Sequence, residues 1–276
     1  MSAQPIKDLS KLCIHTITTK PWSLEEAAEQ YEMAGVKGVS VWRQYLGGRD
    51  IAASGERLRS HGLEIVSLVR GGFFPSVSSK NREQAIQDNL KAVDEAAALG
   101  APMIVLVCGA DPGQSMETSR GQIREGIEKV LPHAQANGVK LAIEPLHPMY
   151  ADTRSAVNTL RQANEMAESI DSDHVGIAAD VYHLWWDPDL KTELLRCGRE
   201  GNLFAFHICD WLSPTVDFLN DRGLMGEGCI DIPTIRGWAE EAGFSGFNEV
   251  EIFSDRHWAG DQKEFLDKIV ASYYHC

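Results

Sequence analysis

Short runs of apolar, largely β-branched residues recur along the chain, and a longer stretch with helical spacing of its apolar positions follows each of them. The first run is Leu12–Thr16. Behind it, Ser23 and Glu26 form a capping-box pattern ahead of Ala27, Ala28, Tyr31 and Met33, which predicts a helix ended by Gly35. Gly38–Trp42 predicts a second strand, Ile51–Ser60 a helix stopped at Gly62, and Leu63–Val69 a third strand. Helices over Arg82–Leu99 and Ser119–Ala136 enclose a fourth strand at Met103–Val107, with stops at Gly100 and at Asn137 and Gly138. Four more pairs complete the pattern: Lys140–Ile143 with a helix over Thr153–Ser169, Val175–Ala178 with a shorter helix near Asp189–Cys197, Leu203–Ile208 with Ile232–Ala242, and Asn248–Ile252 with a terminal helix from Asp261.

Eight strand–helix units share 276 residues, enough for one strand, one helix and two loops in each. Continuous apolar strands imply that both faces of the sheet are covered, and strand–helix alternation implies a parallel sheet. The expected fold is therefore α/β, a single (β/α)8 TIM barrel over residues 1–276. An open doubly wound sheet would carry a Gly-rich phosphate loop after its first strand, where this chain reads HTITTKPW. No linker or low-complexity stretch divides the sequence.

Charge narrows the range of partners. Forty acidic residues against 26 basic ones give a net charge of −14, and no basic stripe interrupts it, so nucleic acid is not an expected partner. No apolar stretch approaches the ~20 residues of a membrane helix. The opening MSAQPIKDLSKL lacks the apolar core of a signal peptide, so a cytoplasmic protein is expected. Six cysteines with no CxxC pair are expected to be free thiols, with Cys13, Cys108 and Cys209 buried in strand runs.

In a barrel of this kind the chemistry gathers at the C-terminal ends of the strands. In order, these ends carry His15, Trp42 with Arg43, Arg70, Cys108 with Gly109, Glu144, Asp180, His207 and Glu251. The last four set three carboxylates and an imidazole on four adjacent strands, each behind an apolar run. Such groups repel unless a cation or a buried ion pair neutralises them. An oxygen-rich set with one histidine suits one divalent ion, Mn²⁺ first, with Mg²⁺, Co²⁺ or Zn²⁺ as alternatives, and no organic cofactor is expected. Glu249 and Glu251 share a strand face, so either could be the ligand; Glu251 is preferred because it lies nearer the strand end.

The order Glu144, then Asp180-Val-Tyr-His183, His207 with Asp210, GEGCIDIP and EVEIF resembles the xylose isomerase-like barrel superfamily. More narrowly it resembles the sugar phosphate isomerase/epimerase group, with its inosose isomerases, dehydratases and ketose 3-epimerases. The resemblance implies Glu144, Asp180, His207 and Glu251 as metal ligands and His183 as a substrate contact. Abasic-site nucleases of the endonuclease IV type share this framework but need further histidines for a trinuclear zinc site. Here the second strand ends in Trp42-Arg43, the fourth in Val107-Cys108-Gly109, and Arg222 stands four residues before the GEG glycine.

The expected activity is that of a metal-dependent isomerase or epimerase on a keto-sugar or cyclitol ketone, through a metal-stabilised enediolate with Glu144 and Glu251 as acid and base. A lyase or dehydratase that eliminates a β-substituent from the same enediolate is the alternative, and a non-catalytic sugar-binding barrel the second alternative. His147, Arg222, Asp210, His15 and Arg70 are further substrate-binding candidates, with Asp210 also placed to orient His207. Trp185, beside the DxxH motif, is the candidate wall for a sugar face. A homodimer is the default assembly.

Overall fold

The computed structural model describes residues 5–276. The signal-peptide expectation rests partly on Met1–Gln4, which lie outside the described residues. Eight parallel strands close into a barrel: β1 (Leu12–His15), β2 (Gly38–Trp42), β3 (Glu64–Gly72), β4 (Met103–Val107), β5 (Lys140–Glu144), β6 (Val175–Asp180), β7 (Leu203–Ile208) and β10 (Asn248–Val250). The order around the barrel is β1-β10-β7-β6-β5-β4-β3-β2. Two further strands, β8 (Asp210–Trp211) and β9 (Arg222–Gly223), pair antiparallel outside it. The helices that follow the strands are α1 (Leu24–Ala34), α2 (Ile51–Ser60), α3 (Ser79–Leu99), α4 (Met116–Ala136), α5 (Leu160–Ile170), α7 (Leu190–Arg199), α8 (Ile232–Glu241) and α10 (Gln262–Tyr273). Single helical turns α6 (Val181–Leu184) and α9 (Asp255–Trp258) follow β6 and β10 directly. No helix among the described residues is long and apolar enough to cross a membrane.

Local signals in the sequence set these boundaries. Ser23 accepts from the Glu26 amide while the Glu26 side chain accepts from Ser23, closing the capping box expected for α1. Asp50, Ser78, Ser115, Thr159 and Asp261 cap their helices by the same side-chain-to-amide bond. Two elements depart from expectation. The segment expected to be helical from Thr153 stays irregular until Leu160: Ser155, Ala156 and Val157 are buried outside any helix, and the Thr159 side chain then caps α5 through the Gln162 amide. β3 runs on past Val69 to Gly72, because the Asn89 side chain and the edge of β4 satisfy its backbone there.

The period of two along each strand divides the core. Ile104, Leu106, Leu141, Ile143, Ile177 and Phe206 pack outward against the helices. Val69, Val105, Ala142, Ala178 and Ala205 form a separate cluster with Trp42, Ile17 and Phe253 inside the barrel. Ala142, Ala178 and Ala205 each stand two residues before Glu144, Asp180 and His207. Parity therefore turns those three polar groups inward, and the small alanines below leave room for them.

Gly72 fixes how β3 meets β4. Its φ is +104°, and a Cβ there would lie 2.0 Å from the Val107 carbonyl oxygen. Gly72→Ala is expected to cost about 3 kcal/mol of stability, a fall of roughly 6 °C or more in Tm. A melt unchanged from wild type would disprove this account of the β3–β4 junction.

Candidate active site

Glu144, Asp180, His207 and Glu251 each offer one ligand atom, and those atoms all lie within 4.8 Å of one another. Asp180 and His207 are wholly buried, and Glu144 and Glu251 nearly so. Adjacent strands place them: Asp180 pairs in register with His207, Val107 with Glu144, and Glu249 with His207. Glu251 follows β10 by one residue. The four-residue set includes Glu251 and not Glu249, which sits one layer deeper.

That deeper layer supports the upper one. Glu249 Oε2 accepts from Ser40 Oγ at 2.5 Å and lies 3.1 Å from His15 Nε2. His15 Nδ1 is 3.0 Å from Glu251 Oε1, so the fully buried imidazole bridges the two glutamates of one strand. Burial alone would lower the pKa of His15, but Glu251 and Glu249 outweigh it and raise it. His15 is thus a support for Glu251.

Arg222 enters from above. The β8–β9 ribbon carries it, the Arg222 amide donates to the Phe253 carbonyl, and the side chain is buried. Its Nη1 donates to Glu251 Oε2 at 2.9 Å, to the Glu251 carbonyl at 3.2 Å and to Asp180 Oδ2 at 3.2 Å. The ring of Tyr182 lies 4.3 Å from the guanidinium carbon and that of Phe253 4.9 Å from it. The buried ion pair and the clustered acids thus coexist, with Arg222 shared between two carboxylates.

The electrostatics follow from crowding. Burial, eased by Arg222 but reinforced by Glu251, pushes Asp180 up to about 7. Glu251 is held well below the usual carboxylate range: burial raises it, but His15 and Arg222 more than compensate. Burial would lower His207, yet Glu249, Glu144 and Glu251 together raise it to about 10. Burial, reinforced by Arg222, keeps His183 far below its usual value and hence neutral. Its Nε2 lies 3.4 Å from Arg222 Nη2, and its Nδ1 is buried with no hydrogen-bond partner among the described residues.

A small cavity of about 20 Å³ adjoins this cluster on the Glu144 and Glu251 side. Glu144, Glu251, His183 and Arg222 line its floor, and Trp42, Tyr150, Arg154, Leu219 and Phe253 are among its walls. Among the site candidates, Asp180, His207, His15, Arg70, His147, Asp210 and Trp185 do not line it. His147 caps the turn at Pro148–Tyr150 and lies between the rings of Trp186 and Trp211, and burial lowers its pKa. Asp210 accepts from the amides of Trp211, Ile230 and Gly226, so it ties down the GEG loop, and among the described residues it has no hydrogen bond to His207. Trp185 packs on Trp211. Arg70 lines a neighbouring cavity that shares Trp42.

Tyr150, Arg154, Leu219 and Phe253 escaped the sequence reading because three of them come from loops, which strand-end positions do not locate. The Tyr150 and Tyr182 hydroxyls both donate to the Phe218 carbonyl, at 2.6 Å and 3.0 Å, and so hold the 212–221 loop over the cavity. The three carboxylates and one imidazole form a donor set that fits a divalent cation: oxygen-rich, buried and short of countercharge.

Comparison with known proteins agrees with this architecture. Over 288 residues the chain is 25% identical to an inosose isomerase of Bacillus velezensis, covering 96% of this chain and 98% of that one. Protein SMc04130 of Sinorhizobium meliloti 1021 superposes with a TM-score of 0.93 at 45% identity, covering 98% and 99% of the two chains. The IolI protein, solved with a bound zinc atom, gives a TM-score of 0.84 at 23% identity, covering 96% and 97%. Residues 25–269 match the family model for the xylose isomerase-like TIM barrel, and the chain belongs to that family.

Proposed function

We propose that this protein is a divalent-metal-dependent isomerase or epimerase acting on a keto-sugar or cyclitol ketone. The observation that carries the reading is the convergence of Glu144, Asp180, His207 and Glu251 within 4.8 Å beside a cavity. The name of the Bacillus velezensis relative supports a cyclitol or sugar ketone, and the zinc atom bound in the IolI structure supports a divalent cation. The four residues would hold the ion, with Mn²⁺ our first choice. When bound, such an ion supplies Lewis acidity that polarises a substrate carbonyl and stabilises the charge left when the adjacent C–H is lost.

The protein's own groups perform the proton transfer. Glu144 accepts from His207 Nδ1 through Oε1 and has no hydrogen bond to Oε2 among the described residues, so one oxygen is available as a base. Glu251, gripped by His15 and Arg222, is held as a carboxylate in a fixed orientation. Glu144 and Glu251 then act as the acid–base pair: one, as the carboxylate, takes the proton from the carbon beside the carbonyl, and the other, which enters the cycle carrying a proton taken up from solvent, returns its own, so the pair holds one proton before and after turnover. Return to the opposite face of the same carbon epimerises; return to the neighbouring carbon isomerises. Neutral His183 orients a substrate hydroxyl through its unpartnered nitrogen. Leu219 and the aromatic walls exclude water from the proton path.

Metal loading should be visible without turnover. Mn²⁺ at a hundredfold over Kd is expected to raise the Tm of chelator-stripped protein by about 5 °C. His207→Ala should abolish that rise, and no shift with Mn²⁺, Mg²⁺, Co²⁺ or Zn²⁺ would remove the metal from the scheme. The sign of the pH dependence follows from Asp180 at about 7 and His207 at about 10. Both must lose a proton to ligate, so affinity should fall as pH drops from 8 to 6, and calorimetry in two buffers should detect proton release.

Proton transfer has its own readout. In D₂O with Mn²⁺, inososes or keto-sugars should gain deuterium at the carbon beside the carbonyl, followed by NMR. Glu144→Gln and Glu251→Gln should each reduce exchange by at least about 10³-fold. Full exchange in both variants would show that other groups carry the proton.

A further inference from the structure

We propose that Arg70 and Arg154 form an oxyanion subsite at the mouth of the cavity, and that the substrate carries a carboxylate or phosphate remote from its reacting carbon. This rests on reading the site as one for a keto-sugar or cyclitol. In a chain with 40 acidic residues against 26 basic ones, carboxylates are plentiful. Arg43 takes Asp88 and Glu95, Arg196 takes Glu168 and Glu193, and Arg222 takes Asp180 and Glu251. The guanidinium groups of Arg70 and Arg154, both partly buried, have no ion pair and no hydrogen bond among the described residues.

Each rests on an aromatic ring instead. The Arg70 guanidinium carbon lies 4.3 Å from the Phe73 ring centre, and that of Arg154 lies 5.6 Å from the Tyr150 ring centre. Stacking of this kind positions a guanidinium while leaving its N–H donors unused. Arg154 lines the cavity with Glu144, His183 and Arg222. Arg70 lines an adjoining space of about 280 Å³, and both spaces share the Trp42 ring. Burial depresses the Arg70 pKa, and the charges of Arg154 and Arg43 depress it further against the opposing pull of Glu144 and Asp88, so the two arginines feel one another.

Glu144 and Asp88 offset part of the repulsion between the two arginines but neither bonds to them, so an incoming oxyanion relieves what is left while engaging donors already in place. The planar forks suit the two oxygens of a carboxylate or an edge of a phosphate. Arg70 comes from the end of β3 and Arg154 from the loop after β5, so the anion would sit on that side of the mouth, away from Glu251. The two arginines would therefore select the substrate class.

The test is calorimetric binding to the Mn²⁺-loaded full chain of D-fructose, D-fructuronate and D-fructose 6-phosphate, three ketoses alike except at the sixth carbon. One anionic ketose is expected to bind at least about tenfold tighter than D-fructose. Whichever it is identifies the group as carboxylate or phosphate. In R70Q and R154Q, with folding verified by Tm, that preference should fall to within about twofold. Equal binding of all three ligands, binding of none, or a preference that survives both substitutions would overturn the subsite. Exchange in D₂O separates the two readings. An anionic preference without exchange on any ketose leaves the subsite and removes the proton-transfer scheme, while exchange without the preference does the reverse.

Discussion

Four carboxylates in one barrel interior set the terms for everything around them. Glu144, Asp180, Glu249 and Glu251 are all buried, and their mutual repulsion in a medium of low polarisability would exceed what a fold can tolerate. The structure answers with three cationic or cationisable groups, each shared between two acids. Arg222 spans Asp180 and Glu251, His15 spans Glu249 and Glu251, and His207 lies between Glu144 and Glu249. Asp180, wholly buried and sharing Arg222 with Glu251, has its pKa raised chiefly by that burial. The donor set there, three carboxylates and an imidazole, has the composition that suits a divalent cation.

The two polar layers divide this work. The lower layer, with Ser40, His15 and Glu249, is fully enclosed and fixes the directions from which the upper groups project. In the upper layer Glu144, Glu251, His183 and Arg222 line the cavity, and the buried His183 Nδ1 has no hydrogen-bond partner among the described residues. Rigid support beneath and unsatisfied groups above are what preorganised catalysis requires, because the protein does not have to rearrange when charge develops.

Much of this was legible in the sequence through parity and strand position. Ala142, Ala178 and Ala205 mark the inward face, so Glu144, Asp180 and His207 had to follow them inward, and the closed parallel barrel follows from eight counted units. Position two along a strand likewise separated Glu251 from Glu249 only by depth, which the backbone resolves. Arg222 was flagged as a candidate, but its burial was not foreseeable: a two-residue ribbon brings it back over the barrel, and nothing in the periodicity of GLMGEG encodes that return. Arg154 is hidden by the helical look of the segment from Thr153, where side-chain capping by Thr159 overrides local propensity, and Tyr150 lies in the turn before it, which strand-end positions do not locate. Trp185 and Asp210 have suggestive addresses, yet one packs on Trp211 and the other is saturated by backbone amides. Sequence spacing gives an address and leaves the occupied neighbours unspecified.

The two tyrosine hydroxyls on the Phe218 carbonyl have an evolutionary consequence. They grip the backbone, and the Phe218 side chain itself is 57% exposed. Anchorage of the loop is therefore independent of which residue stands at 218, and the neighbouring Val216 is freer still at 83% exposed. Mutations can drift through the outer surface of the loop while Leu219 stays in register with the cavity below. A family built this way can diversify what approaches the mouth without loosening the roof.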